Sequence, residues 1–408
     1  MWNRSLLARR LWAGILLLLL VHPLVGLAQE DQDVIRIGVL HSAAGTMAIS
    51  ETALRDTMLM LIEDQNARGG VLGRKLEPVI FDPRSNSGLY AQQARRMIEQ
   101  DDVAAIFGCW TSASRKAVLP IVEELDGLLF YPVQYEGEES SSSIIYTGAT
   151  PNQQAIPAVD FLREQEIERW ILAGTDYVYP RTANRILVEY LTSLGVAEDD
   201  ILLHYTPFGF ADWAQPIERF SRFAAAGKKT AIISTINGDS SLQFYGKLAA
   251  SGITADQLPV MAFSVGEQEL ALLDSEYLAG HYATWGYFMS VDSPVNNEFI
   301  ARWRRYTGNP KAVTNDPMEA HLLGFKLWVQ AVELAGTVEP KLVRQALIGL
   351  EEKNLGGVKV QIRDNNHIDK QALIGKITAD GMFIQVKASP AIVAKPWLDF
   401  DRSPATIQ

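Results

Sequence analysis

Residues 107–120 read FGCWTSASRKAVLP, and two chemistries fit this stretch. Cys109, the only cysteine of the 408-residue chain, could act as a nucleophile. Alternatively, the backbone amides that follow it could grip a small carbonyl or carboxylate. A thiol nucleophile needs a base beside it, usually His. The chain has six His, at 22, 41, 204, 281, 321 and 367, and His41, at the end of the first apolar run, is the one placed to approach Cys109. A Cys that closes an apolar strand is more often a small buried hydrophobe. The sequence has no G-x-S-x-G elbow, no H-E-x-x-H zinc motif, no Walker A loop and no G-x-G-x-x-G turn. The second chemistry needs only Thr111 and Ser112 at a helix start. Hydroxyls there cap free amides, and the helix dipole draws a ligand oxygen.

For either chemistry the stretch must lie between a strand and a helix. The apolar run VAAIFG before it and the amphipathic SRKAVLPIVEEL after it predict that arrangement. The same alternation runs through most of the chain. VIRIGVL, LEPVIFD, VAAIFG and LLFYPV are continuous apolar runs separated by helical patterns. Such runs predict parallel strands buried on both faces. The pattern restarts at IIYTG and continues through RWILAGT, ILLHYTPF, TAIISTI and PVMAFSV. Two such series predict an α/β fold of two doubly wound parallel-sheet lobes joined by a hinge. From Asn296 to Leu350 the chain reads as helical, and from Gly356 onward as β, with Asp380-Gly381 as a hairpin turn. The polar stretch EGEESSSS, residues 136–143, reads as an exposed loop.

Ligands of open parallel sheets bind beyond the carboxyl ends of the strands. The segments found there are HSAAGT, CWTSAS, YPVQYEG, GTDYVYP, TINGDS and SVGEQE, rich in hydroxyls, amides and phenols and poor in cations.

Composition narrows the classes further. The net charge is −11, and loss of a leader carrying three Arg and no acidic residue takes −11 to −14. That balance argues against nucleic acid as a partner. One Cys makes no internal disulfide, and no Cys-His cluster suggests a structural zinc site. Nothing in the motifs requires a metal or an organic cofactor. Arg4, Arg9 and Arg10, the apolar Leu11 to Leu20 and the small residues before Gln29 form a secretory leader, expected over residues 1–28 with cleavage near Ala28. After it, no run reaches the roughly 18 apolar residues of a membrane span.

At these strand ends the sequence resembles a known family. GVLHSAAGTMAISETALRD, FGCWTSASRKAVLP, LLFYPVQYEGEE, YTGATPNQQAIPAVDFL, GTDYVYPRTAN, NGDS, GITADQLPVMAFS, LAGHYATW and VTNDPMEA are similar to segments of urea ABC transporter substrate-binding proteins, and in part to related short-amide-binding sensors. The resemblance spans about Val34 to Lys387. It implies a two-lobed type I periplasmic binding protein with three inter-lobe crossovers. It also implies capture of urea or a short amide in the cleft and delivery to an inner-membrane ABC permease. Lobe 1 is expected over 29–149 plus about 283–352, and lobe 2 over 150–282 plus about 353–400. The resemblance implies Trp110, Thr111, Ser112, Tyr131 and Gln134 on the first-lobe side and Tyr177 on the second. Asn237, Asp239 and Glu267 lie at matching strand ends of the second lobe. Two other functions fit the same residues: a periplasmic sensor that signals occupancy to a partner, and a Cys109-dependent amidase.

Overall fold

In the computed structural model of the chain, residues 34–273 and 278–400 are described, so the leader expected over residues 1–28 lies outside them. The first unit runs β1 (Val34–Leu40), α1 (Ala48–Ala67), β2 (Lys75–Phe81), α2 (Ser87–Glu99), β3 (Ala105–Gly108), α3 (Ser112–Glu124), β4 (Leu129–Tyr131) and β5 (Ile144–Tyr146). These strands form one parallel sheet in the order β2-β1-β3-β4-β5. Every residue of β3, β4 and β5 is buried, which is why their sequences are apolar without alternation. IIYTG therefore ends the first sheet instead of opening the second, because β5 pairs with β4.

The second unit follows as α4 (Ala155–Glu164), β6 (Arg169–Thr175), α5 (Val178–Ser193), β7 (Ile201–Thr206), α6 (Ala214–Ala224), β8 (Thr230–Thr235), α7 (Asp239–Ala250), β9 (Val260–Ala262), the single turn α8 (Glu267–Leu270) and β10 (Tyr282–Trp285). The chain then returns to the first unit as α9 (Pro294–Thr307), α10 (Asp316–Ala335) and α11 (Pro340–Leu347), followed by a two-stranded ribbon of β11 (Glu351–Lys353) and β12 (Lys359–Gln361). Finally β13 (Leu373–Ile377) and β14 (Phe383–Ala388) join the second sheet as an antiparallel hairpin. That sheet has the order β14-β13-β10-β9-β8-β6-β7, parallel from β10 to β7. Separate apolar clusters cover its two faces, one around Trp213, Phe220 and Phe244 and the other around Phe161, Trp170 and Leu187.

The lobe boundaries differ in detail from the sequence reading. β10 belongs to the second sheet, so the expected boundary at 282/283 cuts through a strand. Leu355, Val360, Ile362 and Ile368 pack in the core of the first unit, beyond the expected boundary at 352/353.

Helix α10 anchors the hinge. Asn315 caps it by accepting from the Met318 amide at 3.2 Å, and Gly336 ends it in the left-handed conformation, with φ of 67°. Its first residue, Asp316, is buried. The Asp316 carboxylate accepts from the Gly286 amide at 2.9 Å and pairs with Lys370 Nζ at 3.0 Å. Lys370 Nζ also reaches the Thr147 carbonyl at 3.4 Å. Thr147, Gly286 and Lys370 lie on the three crossovers between the lobes, so one buried ion pair ties all three together. A buried pair of this kind adds little net stability but fixes geometry, since either charge alone would be costly.

Candidate ligand-binding site

The turn from β3 into α3 is made at Cys109, whose φ of 68° is left-handed and rare for a residue with a side chain. Its amide donates to the Leu40 carbonyl at 3.0 Å, holding the turn against β1. The thiol is fully buried, and burial together with the nearby Glu51 carboxylate pushes it well above the ordinary cysteine range. The His41 ring meets Glu51 at 3.3 Å and His321 at 2.7 Å, and no bond joins it to Cys109. These surroundings hold Cys109 as an inert thiol.

Beyond Cys109 the first rim takes shape. Thr111 caps α3, its hydroxyl accepting from the Ser114 amide at 3.0 Å. The buried Trp110 turns its carbonyl to the Tyr131 hydroxyl, which donates at 2.6 Å. The Ser112 hydroxyl donates to Glu136 and accepts from Arg115 at 2.9 Å. That hydroxyl is therefore already committed, and what α3 can offer a ligand is its first-turn amides. Arg115 is fully buried. Its Nε donates to Glu139 at 2.7 Å and its other amino group to Glu136 at 3.1 Å. Its plane lies 4.5 Å from the Tyr135 ring centre and 4.9 Å from that of Tyr131. Lys116 adds a bond to Glu139 at 2.7 Å. Burial alone would raise the Glu139 carboxyl, but the two cations hold it at about 2.

This network corrects the expectation of an exposed loop at 136–143. Glu136, Glu139, Ser141 and Ser143 are buried, and Glu138 and Ser140 point outward. A polar string reads as solvated when its partners, here on α3, are not visible from spacing alone.

The second rim faces the first. Tyr177 stands at the start of α5, and Asn237 Nδ2 donates to its hydroxyl at 2.5 Å. The Asn237 amide donates to Thr175 Oγ1 at 3.0 Å. Burial raises the Tyr177 phenol, and Tyr131, Tyr179 and Glu136 raise it further; Tyr131 and Glu136 belong to the opposite lobe. Direct bonds close the seam. Gln134 Nε2 donates to the Phe263 carbonyl at 2.8 Å and lies 2.9 Å from Ser264 Oγ. Ser50 Oγ donates to Glu269 at 2.7 Å. The Asp239 amide donates to the Thr46 carbonyl at 3.2 Å. Gly238, with φ of 64°, sits so close to the first lobe that a Cβ would lie 2.5 Å from the Thr46 carbonyl oxygen.

Of the nine residues expected at the site, Trp110, Thr111, Ser112 and Tyr131 are brought together on the first rim. Tyr177, Asn237 and Asp239 are brought together on the second, and Gln134 bridges the two. Glu267 stands apart. It is buried against the hinge, where its Oε1 accepts from the Met289 amide at 2.6 Å, and burial lifts its carboxyl to about 8. Sequence reasoning missed Arg115, Glu136, Glu139, Ser50, Glu269 and Ser264. Glu136 lies inside the YPVQYEG segment already marked as a strand end, so position alone could have flagged it. Several buried polar atoms along the seam meet no protein group: Gln134 Oε1, Asn237 Oδ1, Asp239 Oδ1 and Ser240 Oγ. The first three are acceptors.

Residues 35–403 match the family described as the periplasmic binding protein domain. Among curated proteins, a Leu/Ile/Val-binding protein homolog 7 of Brucella melitensis biotype 1 is 32% identical over 116 residues, 28% of each chain. A limonene hydroxylase of Geobacillus stearothermophilus is 27% identical over 125 residues, 30% of this chain and 23% of its own. The match thus spans about a quarter of the length of these relatives. Solved structures are similar over far more. A solute-binding protein of an ABC transporter from Rhodopseudomonas palustris BisB5, in complex with 3,4-dihydroxybenzoic acid, has a TM-score of 0.77 at 18% identity, covering 89% of this chain and 99% of that one. An amino acid ABC transporter substrate-binding protein from Pseudomonas fluorescens Pf-5 has a TM-score of 0.75 at 19% identity, covering 88% and 96%. At such identities these structures speak for the fold. The match over residues 35–403 shows that the chain belongs to the periplasmic binding protein domain family, and the two α/β lobes with their three crossovers give it the two-lobed type I fold of these structures.

Proposed function

We propose that the protein is a periplasmic solute-binding component of an ABC transporter that captures urea or a short-chain amide between its lobes and passes it, chemically unchanged, to a permease. One observation carries the choice of solute. Arg115, the buried cation of the first rim, has its donors committed to Glu136, Glu139 and Ser112, while the seam carries buried acceptors that no protein group meets. A carboxylate group could take the amides that open α3 but brings no N–H groups to those acceptors, whereas an amide brings both an oxygen and N–H donors. Urea, planar and neutral, offers four N–H donors to acceptors such as Gln134 Oε1 and Asn237 Oδ1, and one oxygen to the amides that open α3.

The similar structures carry an aromatic acid in one case and are named for amino acids in another, so those ligands are the competing arms of the test. Calorimetry on the full chain should detect urea, formamide or acetamide and give no heat with 3,4-dihydroxybenzoate or leucine. Tight binding of either carboxylate, with none by the amides, would overturn the assignment. Urea has four heavy atoms. At about −1.5 kcal/mol per atom for the best small ligands, its affinity tops out at roughly tens of micromolar.

A further inference from the structure

The second crossover, the β11–β12 turn, Gln371 of the third crossover, helix α10 and strands β13 and β14 line a half-open pocket of about 530 Å³ at the hinge. That volume falls within the roughly 300–1,000 Å³ typical of small-molecule sites. Its polar lining includes Asp292, Glu319, Asn354 and Gln371, its apolar lining includes Val291, Val358 and Leu373, and no Lys, Arg or His lines it. Glu319 reaches the cavity although it is only 1% exposed. One of its oxygens accepts from the Leu355 amide at 2.9 Å. Burial lifts its carboxyl to about 7, with Asp316 adding to the rise and Lys370 and Lys326 opposing it. Lys370 is paired with Asp316, and among the described residues no Lys or Arg forms an ion pair with Glu319. A buried carboxylate at the edge of an otherwise cation-free, partly apolar cavity is a recognition group for a positively charged ligand.

We propose that this cavity is a second solute site that takes a small organic ammonium ion, its charge meeting Glu319 and its alkyl chain lying on Val291, Val358 and Leu373. Because two of the three crossovers form the walls, occupation braces the hinge and couples this site to the cleft. The inference is independent of what the cleft binds.

The test is calorimetry on the full chain with butylammonium chloride, using butanol and butyrate as controls. Butylammonium should bind saturably. Glu319→Gln, which keeps an acceptor for the Leu355 amide, should weaken it by about tenfold or more, the worth of a charge-assisted contact. Val358→Trp should abolish binding by filling the cavity without touching Glu319. Affinity should rise with pH through about 7, as Glu319 loses its proton. Absence of saturable binding overturns the proposal. So does equal binding of butanol or butyrate, or affinity unaltered in either Glu319→Gln or Val358→Trp.

Discussion

Replacing Ser50 by Ala removes one hydroxyl from the seam between the lobes. Ser50 lies on α1 of the first lobe, and its donor reaches Glu269 Oε1 of the second at 2.7 Å, with both residues buried. The other Glu269 oxygen accepts from the Gly266 amide within its own lobe at 3.0 Å. Hinge opening separates Ser50 from Glu269 and exposes both to water, so their bond counts only in the closed arrangement. Deleting the donor leaves a buried carboxyl oxygen unmet, at a cost of about 1–3 kcal/mol. The closed-to-open ratio then falls by about 5- to 150-fold. Solute affinity should fall with it where the free protein rests mostly open, because apparent affinity scales with the competent fraction. Where the free protein rests mostly closed, the change should appear as a larger radius of gyration in small-angle scattering of the ligand-free protein. Global unfolding by urea-free thermal melts should shift far less than a core deletion would. Unchanged affinity together with an unchanged radius would refute the idea that this bond holds the lobes together.

The remaining expectations concern other parts of the same assembly. Gly238→Ala adds a Cβ at a backbone conformation nearly confined to glycine, with φ of 64° and ψ of −147°, costing about 1–3 kcal/mol in stability, and pushes it against Thr46 and Met47 only when the lobes meet. Its loss of affinity should therefore exceed what its melting temperature accounts for. Arg115→Met leaves the buried Glu136 and Glu139 with only the part-exposed Lys116 as a cation and should destabilise the chain by up to about 3–5 kcal/mol in chemical denaturation; a loss under about 1 kcal/mol would mean that the array is open to water. Glu267, lifted by burial to about 8 from an ordinary 4.5, keeps its proton in the folded state where the unfolded chain has lost it. Its contribution is thus full below pH 4.5 and fades as pH rises towards 8. Glu267→Gln keeps the acceptor for the Met289 amide and should flatten that decline in a melting-temperature profile, and an identical slope in the two proteins would refute the burial argument.

The inner strands β3, β4, β6, β8 and β9 were legible because they are apolar runs buried along nearly their whole length, and burial writes itself directly into composition, whereas the edge strands β2 and β7 are partly exposed. The strand-end residues were legible for a related reason: an open parallel sheet leaves a single edge where polar groups can meet a ligand. Sheet membership was harder. Nothing local in IIY says whether it pairs backward with LFY or forward with the next unit; the β4–β5 register decides it. The buried array around Arg115 was illegible for a deeper reason. Arg, Glu and Ser in close succession have the composition of a surface loop, and only the fold brings Glu136 and Glu139 back over α3, more than 20 positions after Ser112 and Arg115. The hinge clasp was hidden in the same way, since Asp316 and Lys370 are 54 positions apart.

The seam also bears on how a solute as small as the proposed urea could close so large a protein. A ligand of four heavy atoms supplies at most about 6 kcal/mol, a figure already net of its lost translational freedom. It cannot close the lobes alone if closure is strongly uphill. The bonds from Ser50, Gln134 and the Asp239 amide across the seam all form on closing, and each is worth about 0.5–1.5 kcal/mol net. The exposed Arg185–Glu138 pair adds at most about 1 kcal/mol. Together these offset part of the cost of bringing the lobes together. The closed form would still leave Gln134 Oε1, Asn237 Oδ1 and Asp239 Oδ1 without donors. Meeting those acceptors is what a donor-rich solute adds, and a solute lacking N–H groups would close the same hinge against their desolvation.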